Sequence, residues 1–292
     1  MTGFMNRWLL PKASLMVKQN IPFYTCNRRS GFSLDPLVNL WHYRNLLWVF
    51  VKRDLKVRYR YTMLGGLWSI IQPLSMMLIF SLVFSHIFHV QTAGIPYPLF
   101  SYSALIIWQS VSRMLTQGGT SLNDYAPMLS KVYFPRLLVP LAIIVGTCVD
   151  FIIASTILLG MIVFYGVALS LNLLWVPLIL LVTLFLTMGL SLWVSALDVQ
   201  FRDIRAALPF LLQVWMFATP IMYPVTIIPE RLHSLYYLNP LVTQVELFRW
   251  ALLGGQLPDM FYVLTSTAFS VVIFVSGLIF FNKIEGTIVD RI

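Results

Sequence analysis

The sequence predicts an all-α integral membrane protein. It would have six transmembrane helices with both termini cytoplasmic, an amphipathic interface helix ahead of them, and a re-entrant hairpin between helices five and six on the outer side. Three observations carry that expectation. The 292-residue chain is 59% hydrophobic, 15% aromatic and only 11% charged, with a mean hydropathy of +0.80, which excludes an ordinary soluble domain. Its apolar residues gather into six stretches, each long enough to cross about 30 Å of hydrocarbon as a helix. Its basic residues fall almost entirely on one side of those stretches.

The stretches are roughly 64–88, 100–122, 137–167, 175–197, 207–224 and 261–281. The third runs long, and the fifth ends at Pro220 and Pro224. A transmembrane barrel would show alternating segments of about ten residues. Runs such as Leu178–Leu186 do not alternate, so helices are expected.

Charge sets the orientation. Eleven of the 20 Lys and Arg, from Arg7 to Arg60, precede the first stretch. With the N-terminus inside, Lys131, Arg136, Arg202, Arg205, Lys283 and Arg291 join them, against Arg231 and Arg249 outside and Arg113 within a span. The net charge of +9 is accounted for by this asymmetry and by contact with anionic membrane lipid. No nucleic acid is expected as a partner, because no reading module accompanies the charge. The two cysteines, Cys26 and Cys148, do not make a secreted disulfide framework. Pro11 and Lys12 break the short run Trp8-Leu9-Leu10, so no cleavable signal is expected there.

Residues 35–60 read as the interface helix. Asp35 and Pro36 suit a helix start, and Leu37, Leu40, Trp41, Leu47, Trp48, Val51 and Leu55 recur along one side. Arg44, Lys52, Arg53, Asp54, Lys56, Arg58 and Arg60 are assigned to the other, with the tryptophans at headgroup depth. Such a helix either anchors the chain or frames a lateral entrance for an amphipathic substrate.

The first span opens with Leu64-Gly65-Gly66-Leu67-Trp68, whose two small residues permit close helix approach, and continues to Gln72-Pro73, where the proline frees a backbone carbonyl that must be satisfied inside the protein. Phe80, Phe84 and Phe88 follow at steps of four. They are either packing and lipid contact or a wall on which sugar rings stack. Gln109, Arg113, Thr116 and Thr120 share one face of the second span. Asp150 lies in the third, within about one turn of the depth of Arg113, close enough to pair. Charges there are costly and are either an internal ion pair or the lining of a pathway.

Between the spans, Asp124–Arg136 is short, amphipathic and proline-bounded. It suits a brief helix that presents Leu129, Val132 and Phe134 to another protein or packs them beneath the membrane. The cluster Phe201-Arg202-Asp203-Ile204 is too charged for hydrocarbon and belongs in an aqueous loop or a protein cavity. Residues 225–260 are elaborate for a connector: Asn239-Pro240 starts a helix, Gly254-Gly255 ends it, and Glu246 and Arg249 lie at i, i+3 between them. Tyr236, Tyr237, Phe248 and Trp250 keep the segment apolar, as a hairpin capping an exit would be. The chain carries no G-x-x-x-x-G-K-[ST], H-E-x-x-H, C-x-x-C or G-x-S-x-G pattern, so neither a phosphate loop nor catalysis by the chain alone is expected.

In order along the chain stand Arg58-Tyr59, Leu64-Gly65-Gly66-Leu67-Trp68, Gln72-Pro73, Leu129-Ser130-Lys131, Phe134-Pro135-Arg136, Asp198, Phe201-Arg202-Asp203-Ile204, Thr219-Pro220-Ile221-Met222-Tyr223, Ile228-Pro229 and Asn239-Pro240. This ordered set, over about residues 35–290, resembles the ABC-2 type permeases that export bacterial polysaccharides such as O-antigen, capsule and teichoic acid. The resemblance implies a multi-pass protein of the bacterial inner membrane and a division into residues 1–34 (a cytoplasmic extension), 35–60 (the interface helix) and 61–292 (the transmembrane domain). It implies a dimer with a second copy of the chain, and two copies of a separate ATPase that hold ATP and Mg, leaving this chain without a cofactor.

It further implies roles. Leu129, Ser130, Lys131, Phe134, Pro135 and Arg136 would form the ATPase-coupling loop. Arg202 and Asp203 would make an internal salt bridge or an ATPase contact. Trp41, Arg58 and Arg60 would flank the entrance for a lipid-linked polysaccharide, and Phe80, Phe84, Phe88, Arg113 and Asp150 would line its channel. Tyr236, Tyr237, Glu246 and Arg249 would belong to the periplasmic gate, in a periplasmic re-entrant hairpin. The alternative expectation is a permease of the same class that expels drugs or other small molecules.

Overall fold

The computed structural model describes residues 43–285, apart from Tyr61, Ala93, Ser130, Tyr133, Leu169 and Arg202. Expectations that fall on Asp35, Pro36, Trp41, residues 1–34 and the extreme C-terminus lie outside the described residues. Within them the chain is helical throughout, with no strand.

Helix α1 spans Arg44–Arg60. Gly65, at φ +51°, turns the chain sharply into a 3-10 turn over Gly65–Leu67, a backbone conformation that favours glycine. From there α2 runs Trp68–Phe80 and continues as a π-helix over Ser81–Ile87. Helix α3, Tyr97–Asp124, enters through Pro96 with Pro98 in its first turn, where a missing amide hydrogen costs nothing. The four-residue α4, Ala126–Leu129, leads to α5, Leu138–Phe164. A 3-10 turn over Leu171–Trp175 precedes α6, Val176–Gln200, which stops at the extended Phe201.

Helix α7, Asp203–Phe217, begins on an acidic residue, favourable at the positive end of a helix dipole, and ends just before Thr219-Pro220. Helices α8, Glu230–Tyr236, and α9, Pro240–Leu253, follow. The Asn239 side chain caps α9 by accepting from the Leu241 amide at 3.1 Å, and the left-handed Gly254 and Gly255 end it. Helix α10 spans Met260–Glu285.

Five of the predicted stretches fall largely on helices, whereas the fifth, 207–224, is helical only to Phe217 and continues as turns through Pro220 and Pro224. Among the described residues four segments are long and apolar enough to cross a membrane: Gly65–Ile87, Leu138–Phe164, Leu171–Gln200 and Met260–Glu285. The other two differ for separate reasons. Helix α3 has 28 residues, but Ser101, Ser103, Gln109, Ser110, Ser112 and Arg113 dilute its apolar character. Helix α7 has only 15 residues, short of the ~20 that a crossing needs.

The centre is α3, which touches α2, α5, α6, α7 and α9 and is buried along most of its length. Its tyrosines end in hydrogen bonds: Tyr97 donates to the Met222 carbonyl at 2.7 Å and Tyr102 to the Ala154 carbonyl at 3.1 Å. Helices α6 and α10 cross at Gly189 and Gly277, where a Cβ on Gly277 would lie 2.4 Å from the Gly189 carbonyl oxygen. Small residues of this kind let backbones meet where no hydrophobic force drives helices together. At one end of the bundle Phe50 and Val51 of α1 join Phe134, Leu138 and Phe281 in a separate apolar cluster. That end carries both sites described next.

Candidate functional site

The inward face of α1 follows a helical stripe: Leu47, Val51, Leu55, then Arg58. Arg58 therefore does not lie on the exposed basic face where charge grouping had assigned it. Its Nη1–H donates to Asp150 Oδ2 of α5 at 2.5 Å, and its Nη2–H to Gln117 Oε1 of α3 at 2.8 Å. Arg113 of α3 donates to the same Asp150 Oδ2 at 2.6 Å, so the pairing allowed by helix depth is present. The second oxygen, Oδ1, accepts from the Tyr59 hydroxyl and, at 3.4 Å, from Ser69. Burial first, and the bond to Asp150 next, raise the pKa of Tyr59, so it stays a proton donor.

The Asp150 side chain is 5% exposed, against 18% and 20% for Arg58 and Arg113. Two guanidinium groups thus share one buried carboxylate. They face a cavity of about 610 Å³ whose wall also includes Trp68, Gln72, Gln109 and Gln117.

A second cluster joins the ends of α3, α6 and α7. Arg205 Nε–H lies 3.1 Å and 3.2 Å from the two oxygens of Asp198, and its Nη2–H donates to Asp124 at 3.0 Å. Asn123 donates to Asp198 Oδ2 at 2.7 Å. Asp198 is 1% exposed, whereas Arg205 is 42% and Asp124 50% exposed. The bonds from Arg205 to Asp198 join two charged groups, the stronger kind of hydrogen bond.

The geometry is joined by a family relationship. The ABC-2 type transporter family matches residues 45–253, well over half the chain. The chain belongs to the ABC-2 type transporters. It is 32% identical over 237 residues to the O-antigen export system permease protein RfbA of Myxococcus xanthus, covering 80% of this chain and 90% of the relative. A Klebsiella pneumoniae protein of the same name is 30% identical over 255 residues, 87% of this chain and 97% of the relative. The polysialic acid transport protein KpsM of Escherichia coli is 28% identical over 224 residues, 71% of this chain and 81% of the relative.

The chain is a multi-pass membrane protein, and the remaining predicted site residues distribute unevenly over it. In the segment expected to couple to an ATPase, Leu129 and Phe134 are buried, and Phe134 meets Phe50 of α1 edge-on at 5.1 Å. Of the three apolar residues expected either to face a partner or to pack beneath the membrane, Leu129 and Phe134 pack and Val132 is presented outward, beside exposed Lys131. Leu129, at the end of α4, and Phe134, in the loop beyond it, both join the apolar cluster around Phe50 and Val51 of α1. Pro135 and Arg136 are half-buried, and the Arg136 amide donates to Glu285 at 3.2 Å. Tyr125, just before α4, donates to Asp54 of α1 and lies 4.4 Å beneath the Arg53 guanidinium. Burial, then Asp54, raises the Tyr125 pKa.

Ser130, Trp41 and Arg202 lie outside the described residues. Asp203 is exposed at the start of α7, and Arg60 is exposed at the end of α1. The aromatic stripe splits. Phe80 is buried, Phe84 stacks on Tyr97 at 6.5 Å, and Phe88 alone is exposed. The stripe crosses from α-helix into the π-helical turn, which changes its register.

In the segment expected to form the outer hairpin Arg249 is buried. It sits 3.5 Å over the Phe100 ring, donates to the Phe100 and Ile221 carbonyls and pairs with Glu246 at 3.2 Å. Tyr237 stacks on Tyr262 at 4.1 Å, and Tyr236 donates to Tyr223 at 3.3 Å.

Arg205, Gln117 and the role of Tyr59 escaped sequence reasoning. Arg205 follows Asp198 by seven residues across a helix break, so no periodicity links them. Gln117 continues the Gln109–Arg113 face by one further step of four and was legible there. Among the described residues no group of three or more His, Cys, Asp or Glu is arranged to hold a metal ion.

Proposed function

We propose that this chain is the membrane permease subunit of an ATP-driven transporter that exports a lipid-linked polysaccharide, of the O-antigen or capsule kind, across the bacterial inner membrane. The observation that carries the reading is the breadth of the match: 97% of an O-antigen export permease is covered. The sugar chain passes outward, and the chain's own chemistry is binding and gating. ATP and Mg belong to a separate ATPase, in two copies, acting on two copies of this chain.

In this reading the α1 end is cytoplasmic, as the basic residues favour, and the chain crosses six times with α3 and α7 among the crossings. Helices α8 and α9 form the periplasmic re-entrant hairpin, and residues 61–292 are the transmembrane domain. ATPase movement enters at α4. The bonds from Tyr125 to Asp54 and the contact of Phe134 with Phe50 support transmission of that movement to α1. Arg58 and Arg60 stand at the lipid entrance, and Phe88 presents an aromatic face to the passing glycan. Each contact is weak, as a conduit requires.

Small-molecule efflux is the second reading, favoured by one observation: a 610 Å³ cavity is the size of a site for a drug-sized ligand. The deciding experiment depletes the protein in its native cell and measures lipid-linked polysaccharide on each side of the inner membrane. Finished polymer accumulating inside, with loss at the surface, is the expected result. Normal surface glycan with no internal build-up would remove the polysaccharide reading and promote efflux.

A further inference from the structure

The arrangement around Asp150 carries a consequence in charge. Two arginines and one carboxylate leave one positive charge in excess, and every other residue lining the cavity is formally neutral. An uncompensated charge in a membrane-embedded site is costly and favours a counter-charge. Both guanidinium groups bond to one oxygen of Asp150, while Tyr59 and Ser69 hold the other. The carboxylate therefore keeps hydrogen-bond donors when the arginines leave it. Arg58 and Arg113 both line the cavity, and a guanidinium fork fits phosphate oxygens in pairs. Gln72, Gln109 and Gln117 supply further amide donors in the same wall.

The rim points to what carries the phosphate. Trp68 lines the cavity and is 50% exposed, and half-buried Met76 and Met216 stand in the same wall. An apolar margin next to a cationic floor suits a headgroup that brings its own hydrocarbon.

We propose that the cavity binds a phosphate group carried on a lipid through Arg58 and Arg113, and that Asp150 is the resident counter-ion which this phosphate displaces. That the lipid is the glycan carrier, and no ordinary phospholipid, rests on the export reading above. Arg58 stands in the last turn of α1, and Asp150 is on α5. Exchange of the counter-ion thus removes the Arg58 link between α1 and α5 when substrate arrives, while the Tyr59 bond to Asp150 keeps the end of α1 in place.

The test uses the full-length chain in phosphatidylcholine nanodiscs, with Kd and the thermal midpoint read for four probes: farnesyl diphosphate, farnesol, inorganic pyrophosphate and phosphatidylglycerol. Wild type should bind farnesyl diphosphate and be stabilised by it, since a ligand of the native state raises the midpoint, while farnesol does neither. Arg113→Gln leaves a balanced Arg58–Asp150 pair, so it should fold, and should weaken farnesyl diphosphate by at least ~10-fold. Asp150→Asn removes the competitor and should tighten the same ligand. A role confined to structure would lower both midpoints without moving either Kd.

Equal Kd values in all three proteins, or binding that farnesol reproduces, overturns the proposal. Should Asp150→Asn not fold, the Arg113→Gln arm alone decides. Equal Arg113-dependent binding of pyrophosphate would discard the lipid requirement, and equal binding of phosphatidylglycerol would reassign the site to bulk phospholipid. The export reading is judged separately by depletion. Arg113-dependent binding with normal surface glycan keeps the site and loses the reading; absent binding with glycan lost from the surface does the reverse.

Discussion

Asp150 and Asp198 are both buried carboxylates met by arginine, at 5% and 1% side-chain exposure. Asp150 has two arginines, from α1 and α3, and lies beneath a cavity of about 610 Å³. Asp198 has one arginine, which it shares with Asp124, and an asparagine; together they fasten the ends of α3, α6 and α7. The surplus of cations beside open space suits a site where a ligand arrives. A shared cation at closely packed helix ends suits a staple. Identical residue types therefore serve opposite ends, and the ratio of charges with the space beside them tells which.

The strongest way to break this contrast removes both cations from Asp150. Either arginine alone leaves the carboxylate paired, so Arg58→Gln and Arg113→Gln should each cost about 1 kcal/mol or less, a typical net hydrogen-bond loss. The double variant leaves a buried charge with only Tyr59 and Ser69, and should cost about 3–5 kcal/mol. Unfolding of the three variants in detergent measures the coupling. A double variant no worse than the sum of the singles would mean that the arginines act independently.

At Asp198 redundancy is missing. Arg205→Gln should cost about 2–3 kcal/mol, because the buried carboxylate keeps Asn123 and loses its only charged partner among the described residues. Arg205→Lys should restore little of it, since an ammonium cannot reproduce the Arg205 donors that reach Asp198 and Asp124 together. Full recovery in the lysine variant would show that charge alone holds this joint.

How much of this was open to sequence reasoning follows the same physics. The apolar stretches announced the helices, because a crossing needs a long run and leaves it in the composition. Fine register did not follow as easily. Arg58 was grouped with the exposed cations by its charge, although its position three after Leu55 continues the buried stripe of α1. Whether Leu129 and Phe134 faced a partner or packed beneath the membrane stayed open, because a four-residue helix and the loop after it carry too little periodicity to reveal an inner side. The phenylalanine stripe, regular in spacing, was divided by the π-helical turn. The Arg113–Asp150 pair was legible from depth alone, but Arg205 depended on how two helix ends meet, which no local pattern records.

Tyr59→Phe probes the half of Asp150 that the arginines leave alone. Losing one donor to Oδ1 should cost about 1 kcal/mol. It should also weaken the proposed phosphate, since the displaced carboxylate then has only Ser69 to rest on. A variant that loses stability yet binds farnesyl diphosphate as wild type does would separate Tyr59 from the exchange.

The smallest effect is expected at Asp124, and its smallness is informative. Asp124 is 50% exposed and its partner Arg205 is 42% exposed, so water screens their 3.0 Å contact. Asp124→Asn should change stability by less than about 1 kcal/mol, and by still less in high salt. Arg205 would turn wholly to Asp198, whose buried oxygens give it the stronger hold. The comparison then sharpens: the same arginine is worth several times more against the carboxylate that water cannot reach. A cost for Asp124→Asn equal to that of Arg205→Gln, measured side by side at two salt concentrations, would instead make Asp124 the anchor of the staple and Asp198 a bystander despite its burial.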